Sequence, residues 1–397
     1  MIVAALIFLM YICRALPTSL LGASWPFMHA ELGVPIENAG YISAMISCGT
    51  ILASLFSHRL IRRFGTGRVT AVCVLMCAAA LLGFCLSPSF VWLLILALPL
   101  GLGMGEVDLG LNAFVAENYS AVYMNWLHCC WGIGSMIGPA LISALAQAGQ
   151  GWRSGYLSIS AIYLTVAMLM AASLSKWRRM EAIRPAVREK STEEAGESKG
   201  TLAILRIRGA AVTLLIFFLY AAIENSIMLW GASYLVNARS ILAESAAGWI
   251  SLFFLGLTVG RALSGVASLK FSSGTLIKGG AFCVVAGLLL LMLPLSAPLM
   301  ICVLIFIGLG LAPIIPCMMH QTPQLFGKEN NKAAVGLQLV AAYAGTTLMP
   351  ALLGQLFSHV SFQIMPGALL ICAVLMLLCS LRLSVNHKLS QTGAAHA

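Results

Sequence analysis

Twelve apolar stretches recur along this chain, each long enough to cross a bilayer as a helix, and they leave room for few other folds. They cover residues 3–29, 36–56, 69–87, 91–114, 122–148, 152–175, 209–236, 246–268, 274–294, 297–319, 332–358 and 362–382. A spanning helix needs about 20 mainly apolar residues. Lipid offers no partner to a backbone amide, so each stretch must satisfy its own hydrogen bonds as helix. Barrel strands would be half as long and would alternate in polarity. The chain is 60% hydrophobic and 9% charged, far from the balance of a soluble enzyme. The first stretch lacks a basic leader and eleven more follow, so it reads as a retained helix rather than a signal peptide.

The basic residues set the expected orientation. Segment 57–68 carries Arg59, Arg62, Arg63 and Arg68, and segment 176–208 carries nine Lys/Arg against five Glu. Lys270, Lys278, Lys328, Lys332, Arg382 and Lys388 fall on the same side, while the opposite side shows Arg153 and Arg239. The positive-inside rule then puts both termini and the middle segment in the cytoplasm of a plasma (in bacteria, inner) membrane. The net charge of +10 reflects this bias and the anionic inner leaflet rather than nucleic-acid binding.

Residues 176–200 are charged, contain Pro185 and are nearly free of aromatics. The expected division is therefore a six-helix bundle over 1–175, a cytoplasmic linker over 176–208 and a second six-helix bundle over 209–397. An internal repeat accompanies it. Gly40-Tyr41-Ile42-Ser43 matches Gly248-Trp249-Ile250-Ser251, and Gly134 with Pro139-Ala140-Leu141 matches Gly345 with Pro350-Ala351-Leu352. Both offsets are about 210 residues, the period of a duplicated six-helix unit. Such repeats are the architecture of alternating access in transporters.

With these features the chain resembles the major facilitator superfamily over essentially its whole length. Segment 57–68 looks like the family's signature loop between spans two and three, with Arg62 where an acid is usual. Gly260-Arg261-Ala262-Leu263-Ser264-Gly265 looks like its second copy. The resemblance implies that Arg62, Arg63, Arg68 and Arg261 serve a cytoplasmic gate. A narrower resemblance is to the fucose and glucose/galactose permease group. It rests on Gly101, Gly103, Gly105, Glu106, Asp108 and Asn112 in span four, and on Asn125, Leu127, His128, Gly132, Gly134, Gly138 and Pro139 in span five. That group implies cation-coupled sugar import, although Arg14 stands in the first span where the fucose permease has an acid.

Polar groups inside spans are costly and tend to be functional. Asp108, the only Asp of the chain, lies four residues before Asn112, so the two share a helix face. Asp108 and Glu106 are the expected coupling acids, and the alternative is a structural ion pair with Arg14 or Arg261. Glu224, Asn225 and Trp230 in span seven, with Gln338 and Tyr343 in span eleven, suit a neutral polyol: a carboxylate and amides for hydroxyls, an indole for a ring face. Asn112, His128, Trp131 and Arg14 are candidates in the first half. For each, a helix–helix contact is the competing structural role. Arg14 either pairs with an acid or binds an anion.

No phosphate loop with its Lys is present, so ATP-driven transport is unsupported. The 12 Cys and 19 Met form no metal-ligand spacing and read as lipid-compatible filler. No cofactor or metal is expected, and no enzymatic activity. The expected function is cation-coupled symport, with a proton or sodium, of a sugar or similar small polar solute by a monomer among membrane lipids. A proton-coupled drug or metabolite efflux antiporter and a lipid or lysolipid transporter are the alternatives.

Overall fold

The computed structural model describes residues 2–119, 121–182, 204–207, 209–327 and 330–394. Thirteen α-helices run through them: α1 (Ile2–Leu32), α2 (Asn38–Phe64), α3 (Thr66–Cys85), α4 (Phe90–Asn118), α5 (Ala121–Gln147), α6 (Trp152–Ala182), α7 (Ala210–Arg239), α8 (Ala243–Ala267), α9 (Ser273–Leu291), α10 (Ala297–Leu311), α11 (Ile314–Phe326), α12 (Asn331–His359) and α13 (Met365–Ala394). They make twelve apolar spans, because α10 and α11 share the span Ala297–Phe326. Pro313 caps α11; its missing amide and fixed φ break the helix there.

Several helices outrun the apolar stretches that announced them. α6 continues through Lys176, Trp177, Arg178 and Arg179 to Ala182. The segment 57–68, expected as a loop, is helical except at Gly65: α2 runs to Phe64 and α3 starts at Thr66. Gly65 makes this sharp junction at φ 82°, a backbone region that L side chains avoid. Hydropathy marks only the part of a helix that lies in hydrocarbon, whereas backbone hydrogen bonding carries on into the polar interface. Most of the middle segment, 183–203, lies outside the described residues.

The chain forms two compact units: Met1–Lys190 with Met228–Ser251 and Gly354–Phe362, and Ser191–Ile227 with Leu252–Leu353 and Gln363–Ala397. In the first, α2 packs on α4, α1 on α5 and α6, and α3 on α4 and α6. Glycines permit these approaches. A Cβ on Gly101 of α4 would collide with the Ile46 carbonyl of α2, and one on Gly134 of α5 with the Ile12 carbonyl of α1. Lipid supplies no hydrophobic drive between helices, so such close backbone contact stabilises their association. The C-terminal part of α7, from Met228, belongs here too: a Cβ on Gly22 of α1 would strike the Met228 carbonyl.

In the second unit α9 packs against α10, α11 and α13. Its glycine crossings repeat those of the first at an offset of about 210 residues. Gly308 of α10 meets the Phe253 carbonyl of α8, as Gly101 meets α2, and Gly345 of α12 meets the Phe218 carbonyl of α7, as Gly134 meets α1. After residue 203, Ile204 and Ala210 are buried with Phe326 and Ala334. Many exposed side chains are themselves large and apolar, among them Leu55, Val72, Val91, Ile95, Phe282, Leu352 and Ile371, as a lipid-facing surface requires.

Candidate functional site: two acid–arginine–tyrosine clusters

In the first unit the site is built where α1 meets α4. Asp108 accepts from the Tyr11 hydroxyl at 2.9 Å and from Asn112 Nδ2 at 3.0 Å on Oδ1. Its Oδ2 accepts from Arg14 Nη2 at 2.8 Å. Helical spacing explains half of this: residues 108 and 112 lie one turn apart on α4, and 11 and 14 one turn apart on α1. The Arg14 guanidinium also lies 5.8 Å from the Tyr11 ring centroid. The pair is largely shielded, with side-chain exposures of 19% for Arg14 and 13% for Asp108. A cation, a phenol and an amide thus converge as donors on one carboxyl group. Arg14 further borders a small cavity with Cys13, Cys77, Val107 and Tyr163.

Glu106 lies two residues before Asp108 and turns away from that cluster. Its side chain is buried, and neither carboxylate oxygen has a hydrogen-bond partner among the described residues. Ser57 of α2 and Cys73 of α3 are polar side chains within electrostatic reach of it.

The second unit holds a cluster of the same chemistry. Glu224 Oε1 accepts from the Tyr220 hydroxyl at 3.3 Å and lies 3.5 Å from Arg261 Nη2. The same Arg261 nitrogen donates to the Tyr220 oxygen at 3.5 Å. Tyr220 follows Tyr11 by about 210 residues, the repeat offset, so each unit sets a tyrosine of its first helix on a buried acid. The charges are permuted. The first helix supplies the cation in one unit and the acid in the other.

The remaining candidates are dispersed. Asn225 donates to Thr346 Oγ1 at 3.1 Å and to the Ala221 carbonyl at 2.9 Å. Gln338 is fully buried and pairs with Thr322, its Nε2 donating at 3.0 Å. Tyr343 is half-buried, and its carbonyl accepts from Thr347. Trp230 is fully buried in the first unit against Gly354 and Phe362, with 6.2 Å between ring centroids. Trp131 is half-buried. The side chain of His128 lies outside those described. Arg62, Arg63 and Arg68 are exposed around the α2–α3 junction, whereas Arg261 sits on Glu224. Sequence reasoning missed Tyr11 and Tyr220. The signal was there: a tyrosine hydroxyl one turn before a charged residue inside an apolar helix.

The family model described as Major Facilitator Superfamily matches residues 7–343. The chain belongs to the Major Facilitator Superfamily. Relatives within reach of this facilitator include "Bypass of stop codon protein 6" of Saccharomyces cerevisiae, 24% identical over 98% of this chain and 82% of that one. The glucose/mannose transporter GlcP of Bacillus subtilis is 21% identical over 91% of this chain and 90% of its own. The cis,cis-muconate transport protein of Acinetobacter baylyi is 22% identical over 90% and 88%. Among solved structures, the nucleoside transporter NupG superposes with a TM-score of 0.77 at 12% identity, covering 95% of this chain and 98% of that one. A bacterial homologue of the human lysosomal transporter Spinster gives 0.70 at 13% identity, covering 97% and 95%. These likenesses establish the facilitator fold. The names of the relatives range from glucose/mannose to cis,cis-muconate, so membership of the fucose permease group does not follow from them.

Proposed function

We propose that this chain is a proton-coupled secondary transporter of a small neutral metabolite, a class wider than sugars alone that takes in the metabolites of the efflux antiporter named above as an alternative to sugar symport. The observation that carries this reading is the Arg14–Asp108 pair. The one mid-span cation of the first unit's α1 is already neutralised by a carboxylate that also holds a phenol and an amide. An anionic solute would have to compete with Asp108 for Arg14. A neutral solute rich in hydroxyls or amides can instead exchange hydrogen bonds with Tyr11 and Asn112, each worth about 0.5–1.5 kcal/mol net. The glucose/mannose relative and the nucleoside transporter fold-mate carry solutes of that kind by name; the muconate relative stands for the opposite charge class.

The test is a solute panel on purified protein in proteoliposomes: glucose, uridine, cis,cis-muconate and a lysophospholipid. Glucose or uridine is expected to stabilise the protein thermally and to exchange by counterflow. Muconate binding that is lost in Arg14→Gln would overturn the neutral-solute reading, and lysolipid binding alone would move the chain to the lipid class. The direction of the accompanying pH change separates symport from antiport.

A further inference from the structure

A side-chain amide has two unlike ends. Its NH2 only donates and its oxygen only accepts, so whichever end the protein holds fixes what the other can offer a solute. Asn112, Asn225 and Gln338 all lie within spans, and the protein holds them in two different ways.

Gln338 is closed. It is fully buried, its Nε2 donates to Thr322 Oγ1 at 3.0 Å, and its Oε1 accepts from the same hydroxyl at 3.2 Å. Both ends of this amide are engaged by α11.

Asn225 and Asn112 are engaged at one end. Asn225 Nδ2 donates to the Ala221 carbonyl at 2.9 Å and to Thr346 Oγ1 at 3.1 Å. A backbone carbonyl can only accept, so the NH2 has to face it, and the Thr346 contact with α12 holds the side chain in that pose. Asn112 Nδ2 donates to Asp108 Oδ1 at 3.0 Å, on a carboxyl group that also receives Tyr11 and Arg14. An amide oxygen turned toward that group would set acceptor against acceptor.

The oxygens are the ends left over. Among the described residues, no hydrogen bond ends on Asn112 Oδ1 or Asn225 Oδ1, and neither atom is sealed from its surroundings. Both residues are half-buried. Lipid supplies no donor to an oxygen in such a place, whereas a hydroxyl or N–H of a solute does. Asn112 belongs to the first unit and Asn225 to the second, so each unit carries one amide of this polarity.

We propose that Asn112, and Asn225 within its own unit, select solutes by hydrogen-bond polarity: each presents a fixed acceptor that recognises a solute O–H or N–H and rejects an ether, a fluoride or a bare carbonyl in its place. This rests on the neutral-solute reading above and adds to it which side of a polar group the protein reads.

Glucose and uridine are the probes, with binding to the purified protein measured by titration calorimetry. Each hydroxyl is replaced in turn by hydrogen and by fluorine, and the uridine N3–H by N–CH3. Fluorine restores the bulk of a hydroxyl and a weak acceptor, but no donor. At one position or more, the deoxy and deoxyfluoro analogues are both expected to bind about five-fold or more weakly than the parent solute. In Asn112→Leu or in Asn225→Leu that penalty should shrink to less than about two-fold, because the oxygen that required the donor is gone. A thermal unfolding curve checks that each variant is folded, and Asn112→Ala and Asn225→Ala replace a Leu variant that is not. Fluorine that restores binding at every sensitive position overturns the inference, as does a penalty that persists in both variants. Parent and analogues that bind equally well also overturn it, while the neutral-solute reading stands. A wild type that binds neither glucose nor uridine defeats the neutral-solute reading, and this inference with it.

Discussion

Exchanging the partners of the Arg14–Asp108 pair one at a time and together gives the most direct test of the first cluster. At 2.8 Å two unit charges attract by about 6 kcal/mol at an effective dielectric of 20. Desolvation offsets much of that gain, and the net result of removing one partner of a buried pair is a loss of about 3 kcal/mol. The two variants differ in detail. Arg14→Gln leaves a carboxylate that still accepts from Tyr11 and Asn112, so the loss should be about 2 kcal/mol. Asp108→Asn keeps an oxygen for those donors but turns an NH2 toward the guanidinium, donor against donor beside an uncompensated charge. Its loss should be about 3 kcal/mol. In the double variant, Gln and Asn can hydrogen-bond and no charge remains, so the loss should be about 2 kcal/mol rather than the additive 5, a coupling of about 3 kcal/mol. Equilibrium unfolding in mixed detergent micelles, followed by tryptophan fluorescence, measures all four proteins. A double variant as unstable as the sum of the single ones would show that the two side chains do not interact as described.

Two further outcomes follow from the geometry. Gly101→Ala should destabilise the protein by about 3 kcal/mol, since its Cβ meets backbone that cannot rotate away. Gly279→Ala, whose Cβ meets nothing within 4 Å, should be neutral or stabilise by up to about 1 kcal/mol; equal losses in the same unfolding assay would refute the packing argument. For topology, Gln150→Cys at the α5–α6 turn and Arg179→Cys near the end of α6 should be labelled by impermeant maleimide from opposite faces of the membrane, above the background of native thiols, with Arg179→Cys reacting from the cytoplasm. Labelling from the same face would contradict the twelve-span path, and labelling of Arg179→Cys from outside would reverse the orientation.

By itself the sequence determined the class of fold, because apolar length is a local property. A stretch such as 297–319 must be helical in lipid whatever surrounds it. The repeat was equally legible: Gly134 and Gly345 occupy matching places in their spans, and both turn out to be points of backbone contact. The shared face of Asp108 and Asn112 needed only helical spacing. What the sequence could not supply is which faces meet. Arg14 and Asp108 are 94 residues apart, and nothing local says whether Arg14 should find Asp108, Glu106 or a solute. The rotation of α4 about its own axis decides it, and that rotation is set by the glycine contacts of α4 with α2. The same rotation turns Glu106 away from that cluster, its two oxygens without a hydrogen-bond partner among the described residues. Trp230 shows the limit from the other direction: an indole on a candidate helix reads as a wall for a sugar ring, yet the bare backbone of Gly354 lets it pack away completely. Periodicity fixes which residues of one helix lie together. Only close packing between helices decides which of those faces are buried against a partner.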